Sequence, residues 1–125
     1  MADKILFVDD EPAICAAARR TILSLGYKVT TFNKPNTVLE HIKDRPGEFD
    51  LLVTDLTMPG ADGITLAREA HRICPNLPVV LTTGFAADRT EEQLKEQGIN
   101  KLLLKPFTTV TLAQALNAAL HKTAS

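Results

Sequence analysis

Five short apolar runs alternate with five longer segments of helical spacing along this chain, and this alternation constrains the fold more than any other feature. The runs are short and rich in leucine and β-branched residues, as buried strands are. They lie at Lys4–Val8, Lys28–Thr31, Leu51–Thr54, Pro78–Thr82 and Lys101–Leu104. Because parallel strands must be joined by crossovers, strict alternation of strand and helix predicts a parallel sheet with helices on both faces.

The intervening segments carry apolar side chains three and four positions apart, which is the spacing of one helix face. The first helix is expected to begin with Pro12 in its first turn and to be capped by Gly26. The others are predicted at about Pro35–Asp44, Gly63–Ile73, Asp88–Gln97 and Thr109–His121. The expected inward face of the first helix comprises Ile14, Ala17, Ala18, Ile22 and Leu25. The predicted fold class is α/β, a (βα)5 doubly wound sheet of five parallel strands.

The length of 125 residues suits a single domain, 1–125, with a core over about 4–121 and a short polar tail at Lys122–Ser125. The net charge of −1 argues against nucleic-acid or anionic-membrane binding by this domain. No apolar run approaches the roughly 20 residues that cross a bilayer, and the N-terminus lacks the pattern of a signal peptide. We therefore expect a cytoplasmic protein that is not held in a membrane.

Neither cysteine nor histidine forms a pattern that is typical of metal binding. Cys15 and Cys74 have no partner at metal-ligand spacing, so we interpret them as free thiols in a reducing cytosol. The isolated residues His41, His71 and His121 are interpreted as surface or boundary side chains of the helices.

Chemically versatile side chains follow four of the five predicted strands. The first strand is followed by Asp9, Asp10 and Glu11, the third by Asp55, the fourth by Thr83 and Gly84, and the fifth by Lys105 and Pro106. Each group alone is ordinary, as a helix cap, a turn or a loop dipeptide. Ligands of open α/β sheets bind at the carboxyl ends of the strands, so the convergence of all four at one edge favours a functional site.

This combination of side chains suits phosphoryl transfer. Crowded carboxylates repel one another, and a hard divalent cation such as Mg²⁺ would offset the repulsion more completely than Lys105 alone. A metal ion and a lysine can neutralise phosphoryl oxygens, a hydroxyl can donate a hydrogen bond to them, and a carboxylate oxygen can attack phosphorus.

Four segments of the chain resemble the motifs of the response-regulator receiver family, in that family's order and spacing. They are FVDDEP at Phe7–Pro12, VTDLTMPGADG at Val53–Gly63, PVVLTTG at Pro78–Gly84 and LLLKPF at Leu102–Phe107. The resemblance spans nearly the whole chain. It implies a flavodoxin-like sheet with strand order 2-1-3-4-5.

The resemblance also implies a role for each residue at the strand ends. Asp55 is the expected phosphoacceptor, Thr83 is expected to hydrogen-bond the phosphoryl group, and Lys105 is expected to pair with it. Mg²⁺ is the expected cofactor. Its implied ligands are the side chains of Asp10 and Asp55 and the backbone carbonyl of Thr57, with Asp9 acting largely through a metal-bound water.

Further positions take supporting roles under the same resemblance. The peptide bond before Pro106 is expected to be cis, Pro59 and Gly63 are expected to shape the loop after Asp55, and Glu11 is expected at the helix N-terminus. Leu102 departs from the family, which often has an aromatic switch residue there. Thr57 and Phe85 occupy positions that tune dephosphorylation, and neither offers a carboxylate or amide, so a long-lived phosphorylated form is predicted.

The implied partners are a sensor histidine kinase or a histidine phosphotransfer domain as phosphoryl donor, and a downstream protein or fused output domain. The fourth helix, fifth strand and fifth helix form the expected switching surface, through which a homodimer is also possible. The fourth helix is expected to be the least anchored, because Leu94 is nearly its only large apolar residue. The domain is expected to catalyse only its own phosphorylation and dephosphorylation.

Three alternatives fit parts of the pattern. A haloacid-dehalogenase-like phosphatase would require Asp-x-Asp after the first strand, where this chain has Asp9 followed two positions later by Glu11. A flavin mononucleotide binder would require a Ser/Thr/Gly-rich phosphate loop after the first strand. Here Asp9, Asp10 and Glu11 follow that strand, and their negative charges would repel phosphate. A phosphorylation-independent interaction module remains open because of Leu102.

Overall fold

The computed structural model describes residues 3–84 and 91–121. Its main sheet has five parallel strands, which are β1 (Lys4–Val8), β2 (Lys28–Phe32), β3 (Leu51–Asp55), β6 (Val79–Thr83) and β7 (Lys101–Leu104). The order is β2-β1-β3-β6-β7. When only the strands of this sheet are numbered, the order is the predicted 2-1-3-4-5. The prediction of a doubly wound, flavodoxin-like α/β fold is therefore confirmed.

Five helices lie in the described ranges, of which the first four connect successive strands of the main sheet and the fifth follows β7. They are α1 (Pro12–Ser24), α2 (Pro35–Asp44), α3 (Gly63–Ile73), α4 (Glu91–Glu96) and α5 (Thr109–His121). The bounds of α2, α3 and α5 agree with the prediction. The predicted first residues of the fourth helix lie outside the described residues, as does Phe85, and α4 ends one residue before the predicted end at Gln97.

Two apolar cores cover the two faces of the sheet. One contains side chains of β1, β3 and β6 with those of α2, α3 and α4, including Leu6, Leu52, Leu81 and Leu94. The other contains alternate side chains of the same strands with those of α1 and α5, including Phe7, Val53, Val80 and Leu116. Side chains alternate between faces along a strand, so each central strand contributes to both cores.

The predicted inward face of α1 needs one correction. Ala18 and Ile22 are buried, and Ile14 and Leu25 are partly buried against the same core, but Ala17 is exposed. Cys15 takes the buried place, since Cys15, Ala18 and Ile22 are spaced three and four residues apart on one helix face. The prediction failed because α1 is rich in alanine, which carries little information about facing.

Three strands extend one residue beyond their predicted ends, and two of these extensions change the setting of the site. β3 includes Asp55 and β6 includes Thr83, so both residues belong to the sheet rather than to the loops after it. β2 also extends by one residue, to Phe32.

A small hairpin after β3 was not predicted. Its strands are β4 (Thr57–Met58) and β5 (Ala61–Asp62), paired antiparallel around Gly60 at φ 73°. The Asp62 side chain then caps α3, because its Oδ1 accepts a hydrogen bond of 2.7 Å from Ile64 N. The hairpin connects the end of β3 to the start of α3.

The C-terminal end of α4 is held firmly. Leu94 and Ile99 are buried, and Gly98 adopts a φ of 85° between them. A Cβ atom on Gly98 would lie 2.7 Å from the ring of His71, which also makes a hydrogen bond of 2.7 Å between Nε2 and the carbonyl oxygen of Leu77. The helix that the sequence predicts to be the least anchored is thus held at this end by buried Leu94 and by the contact of Gly98 with α3.

Cys15 and Cys74 are free thiols. His41 and His71 are partly buried at the boundary of the protein, and the side chain of His121 lies outside the described residues. No described helix is long and apolar enough to cross a bilayer.

Candidate functional site

Three carboxylates meet at the carboxyl ends of β1 and β3. Asp9, Asp10 and Asp55 each offer an oxygen, and these oxygens lie within 4.8 Å of one another. The parallel register explains their proximity, because Val8 lies beside Thr54 and the next residues on the two strands are Asp9 and Asp55. Asp9 and Asp55 are buried, whereas Asp10 is partly exposed.

Lys105 brings the positive charge of the site from the far edge of the sheet. Its Nζ lies 2.7 Å from Oδ2 of Asp9 and 3.2 Å from Oδ1 of Asp55. Its backbone N–H donates to the carbonyl of Thr83 over 2.8 Å, which continues the pairing of β7 with β6. The Lys105–Pro106 peptide bond is cis, as the family resemblance implied.

Asp9 has a structural role beside its electrostatic one. Its Oδ1 accepts a hydrogen bond of 2.9 Å from the backbone N–H of Glu11, the residue that precedes α1, while Oδ2 pairs with Lys105. Asp9 therefore acts as a turn residue before α1, and its role at a metal site stays a prediction. Glu11 occupies the predicted place at the helix N-terminus, although its side chain makes no capping hydrogen bond.

The surroundings of Asp55 disfavour the ionised form of its carboxyl group. Burial raises the pKa of Asp55, the charge of Lys105 opposes this rise, and the charge of Asp9 adds to it. Burial alone would lower the pKa of Lys105, but the hydrogen bond and charge of Asp9 and the charge of Asp55 raise it above its ordinary value. Lys105 is therefore positively charged. An additional positive charge near Asp55 would stabilise the ionised form of its carboxyl group.

The donor set fits Mg²⁺. Three carboxylates face one ammonium group, so the cluster carries an excess of two negative charges when all four groups are ionised. Mg²⁺ prefers hard oxygen ligands and few carboxylates, which is what the site offers. Among the described residues the Asp10 side chain has no hydrogen-bond or ion-pair partner, and Asp10 is partly exposed. The ligand role of the Thr57 carbonyl stays a prediction.

Gly63 lies directly against the backbone that presents Asp55. A Cβ atom at this position would overlap the carbonyl oxygen of Asp55, and the Gly63 N–H donates to the carbonyl of Leu56 over 2.7 Å. The predicted role of Gly63 in shaping this loop has a direct steric basis, because only a residue without a side chain permits α3 to begin so close to β3.

Thr83 is buried at the end of β6, and its neighbour across the sheet is Leu104. Leu102, at the position where the family often has an aromatic residue, is partly buried against the core that contains α4. The structure therefore places Thr83 at the same edge as Asp55 and Lys105, and places an aliphatic side chain at the usual switch position.

Two features of the site were not predicted. The Cys15 thiol donates to the carbonyl oxygen of Asp9 over 3.2 Å, and burial followed by the nearby charge of Asp9 raises the pKa of this thiol. The hydroxyl of Thr82 is buried beside Asp55 in the sheet and has no hydrogen-bond partner among the described residues. Cys15 lies outside the quoted motifs, and Thr82 lies within PVVLTTG but has no role implied by the resemblance, so both features follow from packing and strand register.

Comparison with known proteins agrees with this geometry. The family model for the response regulator receiver domain matches residues 5–117. The response regulator receiver protein CpdR of Brucella abortus is 36% identical over 104 residues, which cover 83% of this chain and 85% of that protein. A crystal structure of a response regulator receiver domain protein from Clostridium thermocellum superposes with a TM-score of 0.88 at 27% identity, covering 98% of this chain and 97% of the other.

Longer relatives contain the same domain as one part. The sensor kinase CckA of Brucella abortus is 32% identical over 118 residues, which cover 94% of this chain but only 12% of the kinase. The chain belongs to the response-regulator receiver family, and it is a signalling module of the two-component type.

Proposed function

We propose that this receiver domain, which occupies about residues 4–121, accepts a phosphoryl group on Asp55 in the presence of Mg²⁺ and that phosphorylation changes its binding to a partner. The observation that carries the proposal is the convergence of three carboxylate oxygens within 4.8 Å, with the ammonium of Lys105 at 3.2 Å from Asp55. An uncompensated anionic cluster around a nucleophilic oxygen is suited to binding a metal ion and a phosphoryl group together.

The transfer exchanges one bond to phosphorus for another. A carboxylate oxygen of Asp55 attacks phosphorus, the new O–P bond forms, and the N–P bond of a phosphohistidine breaks with its electron pair remaining on the imidazole. Lys105 pairs with the phosphoryl oxygens and Thr83 donates a hydrogen bond to them. Asp10, Asp55 and the carbonyl of Thr57 would hold Mg²⁺, with Asp9 nearby, and the ion would supply positive charge that offsets the charge of the phosphoryl oxygens.

The phosphorylated form is expected to persist. Hydrolysis requires a water molecule aligned with phosphorus, and Thr57 offers no carboxylate or amide to orient one. Phe85, at the second tuning position, lies outside the described residues and is likewise neither acid nor amide. Phosphoprotein decay followed over time tests this expectation, and a half-life of seconds contradicts it.

The donor is a sensor histidine kinase or a histidine phosphotransfer domain. An apolar groove of about 480 Å³ lies beside Lys105 and is lined by Ala13, Ile14, Ala17, Pro106 and Phe107. Because Lys105 lines this groove and also contacts Asp55, a protein seated there brings its phosphohistidine to the acceptor. Ala17→Glu is expected to slow transfer from the protein donor while leaving phosphorylation by acetyl phosphate unchanged, and equal slowing of both reactions contradicts this docking site.

The proposed switching surface is formed by α4, β7 and α5. It exposes Leu104 by 50% and Val110 by 62%, which are large values for apolar side chains. Drawing Thr83 toward the phosphoryl group is expected to displace α4, and a downstream protein, a fused output domain or a second copy of this chain binds the altered surface. Amide exchange on this surface is expected to change on phosphorylation, and unchanged exchange there contradicts the proposal.

Intact mass tests the function itself. The protein is incubated with acetyl phosphate and Mg²⁺, beside an Asp55→Asn variant and a sample with the metal chelated. We expect one added phosphoryl group that is lost in both controls. An unmodified mass in a folded protein that also fails to bind beryllofluoride contradicts the proposal.

That negative result would support the second candidate, a receiver fold that binds partners without phosphorylation. The observation that favours it is Leu102, since an aliphatic side chain replaces the aromatic ring that often couples Thr83 to the switching surface.

A further inference from the structure

Thr54 carries a hydroxyl group inside an apolar core. The residue is fully buried in β3, and strand alternation places its side chain on the face of Leu52, toward α2 and α3. Its neighbours in the parallel register are Val8 on β1 and Leu81 on β6, which belong to the same core. Burying a hydroxyl group in such surroundings is unfavourable unless the group is hydrogen-bonded, and a valine would fill the same volume.

The hydroxyl is bonded to the residue that carries the acceptor carboxylate. Thr54 Oγ1 donates to the backbone carbonyl oxygen of Asp55 over 3.1 Å. The pairing of β3 with β1 ends with Thr54 and Val8, so within the described ranges Asp55 is paired with β6 but not with β1. The Thr54 hydroxyl therefore supplies a hydrogen bond to the acceptor residue at the point where pairing with β1 has stopped.

The peptide unit between Asp55 and Leu56 is held at both of its polar groups. Its carbonyl accepts from Thr54, and its N–H donates to the carbonyl oxygen of Thr82 over 2.8 Å. Gly63 lies against the same Asp55 carbonyl oxygen, and the N–H of Gly63 donates to the Leu56 carbonyl over 2.7 Å. Because a peptide unit is planar, hydrogen bonds to its carbonyl and to its N–H together fix its orientation.

The orientation of this peptide unit bears on the proposed metal site. Asp55 precedes the unit and Thr57 follows Leu56, so the Asp55 carboxylate and the Thr57 carbonyl lie on either side of it. A rotation of the unit changes ψ of Asp55 and φ of Leu56, and it moves these two oxygen ligands relative to one another. Ligands that are already held in place lose less conformational freedom when an ion binds, so the affinity is higher.

We propose that Thr54 is a positioning residue for the acceptor site, whose hydroxyl fixes the Asp55–Leu56 peptide unit so that Asp55 and Thr57 present their oxygens to one Mg²⁺ ion. The inference rests on the proposed function of Asp55. The side chain of Thr54 lies on the face of the sheet toward α2 and α3, so it acts through the backbone and not through contact with the ion.

Two substitutions at Thr54 separate positioning from stability. Thr54→Val keeps the shape and removes the hydroxyl, whereas Thr54→Ser keeps the hydroxyl and removes a methyl group. Thr82→Val is the matched control, since Thr82 is equally buried on the neighbouring strand and its hydroxyl has no hydrogen-bond partner among the described residues. The measurements are the Mg²⁺ dissociation constant from amide chemical shifts and, in the metal-free protein, the thermal midpoint and the exchange rate of the Leu56 amide.

Thr54→Val is expected to weaken Mg²⁺ binding by about three- to tenfold and to speed exchange of the Leu56 amide. Its midpoint should stay close to that of the wild type, because the added methyl group offsets the lost hydrogen bond. Thr54→Ser is expected to lower the midpoint by roughly 2–6 °C, because a buried methyl group is lost, while its Mg²⁺ affinity stays within about twofold of the wild type. The less stable variant should therefore bind the ion more tightly.

Unchanged Mg²⁺ affinity in Thr54→Val overturns the role of Thr54. An affinity that follows the thermal midpoint across the variants also overturns it, as does an equal loss in Thr82→Val, since either result would reflect packing in general. If the folded wild type and its variants bind Mg²⁺ as expected but the wild type takes up neither a phosphoryl group nor beryllofluoride, the function of Asp55 is overturned and the positioning role stands. A folded wild type that binds no Mg²⁺ overturns both.

Discussion

Two groups of charged side chains in this protein are built in opposite ways. The strand-end cluster comprises Asp9, Asp10, Asp55 and Lys105, which come from three strand ends up to 96 positions apart in the chain. The α2 cluster comprises His41, Arg45 and Glu48, which are close in sequence. In it Glu48 lies 3.3 Å from His41 Nε2 and 3.8 Å from Arg45 Nη1.

The two clusters differ in charge balance as well as in origin. The α2 cluster matches one carboxylate with a guanidinium and a histidine, and the histidine ring is held between Phe32 and Phe49 with ring centroids 5.3 and 5.4 Å away. The strand-end cluster places three carboxylates against one ammonium in a more buried setting. A cluster with balanced charges stabilises the folded protein. A buried cluster with excess negative charge is unfavourable until a cation binds and neutralises it.

The two clusters are expected to differ most in the loss of unfolding free energy when a neighbouring glycine is replaced by alanine. Gly63→Ala should lower the free energy of unfolding by roughly 3 kcal/mol, because the new Cβ overlaps the Asp55 carbonyl oxygen and backbone must move. Gly47→Ala, beside the α2 cluster, should cost only about 1 kcal/mol, since Gly47 has a φ of 84° and open space around it. Denaturant unfolding measures both, and equal losses would contradict the steric argument.

The next largest difference in unfolding free energy is expected when the cationic side chain of each cluster is removed. Lys105→Met leaves Asp9 and Asp55 without a counter-charge in a buried position, and a loss of about 2 kcal/mol is expected. Arg45→Met should cost less than about 0.5 kcal/mol, because the arginine side chain is 68% exposed. Urea titration at neutral pH checks the pair. A loss in Arg45→Met as large as that in Lys105→Met would show that the clusters are energetically alike.

Removing one carboxylate from each cluster should produce effects of opposite sign. Asp10→Asn relieves repulsion and should raise the metal-free stability by about 0.5 kcal/mol, whereas Glu48→Gln should lower it by a similar amount. Added Mg²⁺ should stabilise the wild type and the Glu48→Gln variant but not Asp10→Asn. Thermal midpoints with and without Mg²⁺ decide this, and destabilisation of the metal-free protein by Asp10→Asn would refute the idea of an excess charge.

The smallest expected effect is a pH slope in the metal-free protein. Burial raises the pKa of Asp55 in the folded state above its ordinary value, so the folded state holds the proton more tightly than the unfolded state does. As the pH falls from neutral through the raised pKa, Asp55 should therefore add a few tenths of a kcal/mol of stability. The Asp55→Asn variant should lack this contribution and should be the more stable protein at neutral pH. Identical slopes in the two proteins would contradict the assigned shift.

The sequence was sufficient to predict the strand-end cluster because its members are fixed by topology. Once five strands alternate with five helices, the residues after each strand must meet at one edge, whatever the details of packing. Asp9, Asp55 and Lys105 were found in this way, and the two ion pairs of Lys105 follow from the same placement.

Features that depend on a single residue of register or on very short elements were not predictable. The hairpin strands are only two residues long, too short to show a period. The place of Thr83 within the sheet depends on β6 ending at Thr83 rather than one residue earlier. The exposed side of α1 was misjudged because the alanines on its two faces are chemically identical.

The contact between His71 and Gly98 has a mechanical consequence. It joins the end of α3 to the turn after α4, on the side of the sheet away from the carboxylates, and leaves no room for a side chain between them. A helix that is pinned at one end can tilt but cannot slide. We therefore expect a displacement that begins near Thr83 to tilt α4, Glu91–Glu96, about the turn at Gly98 rather than to move the whole helix along its axis.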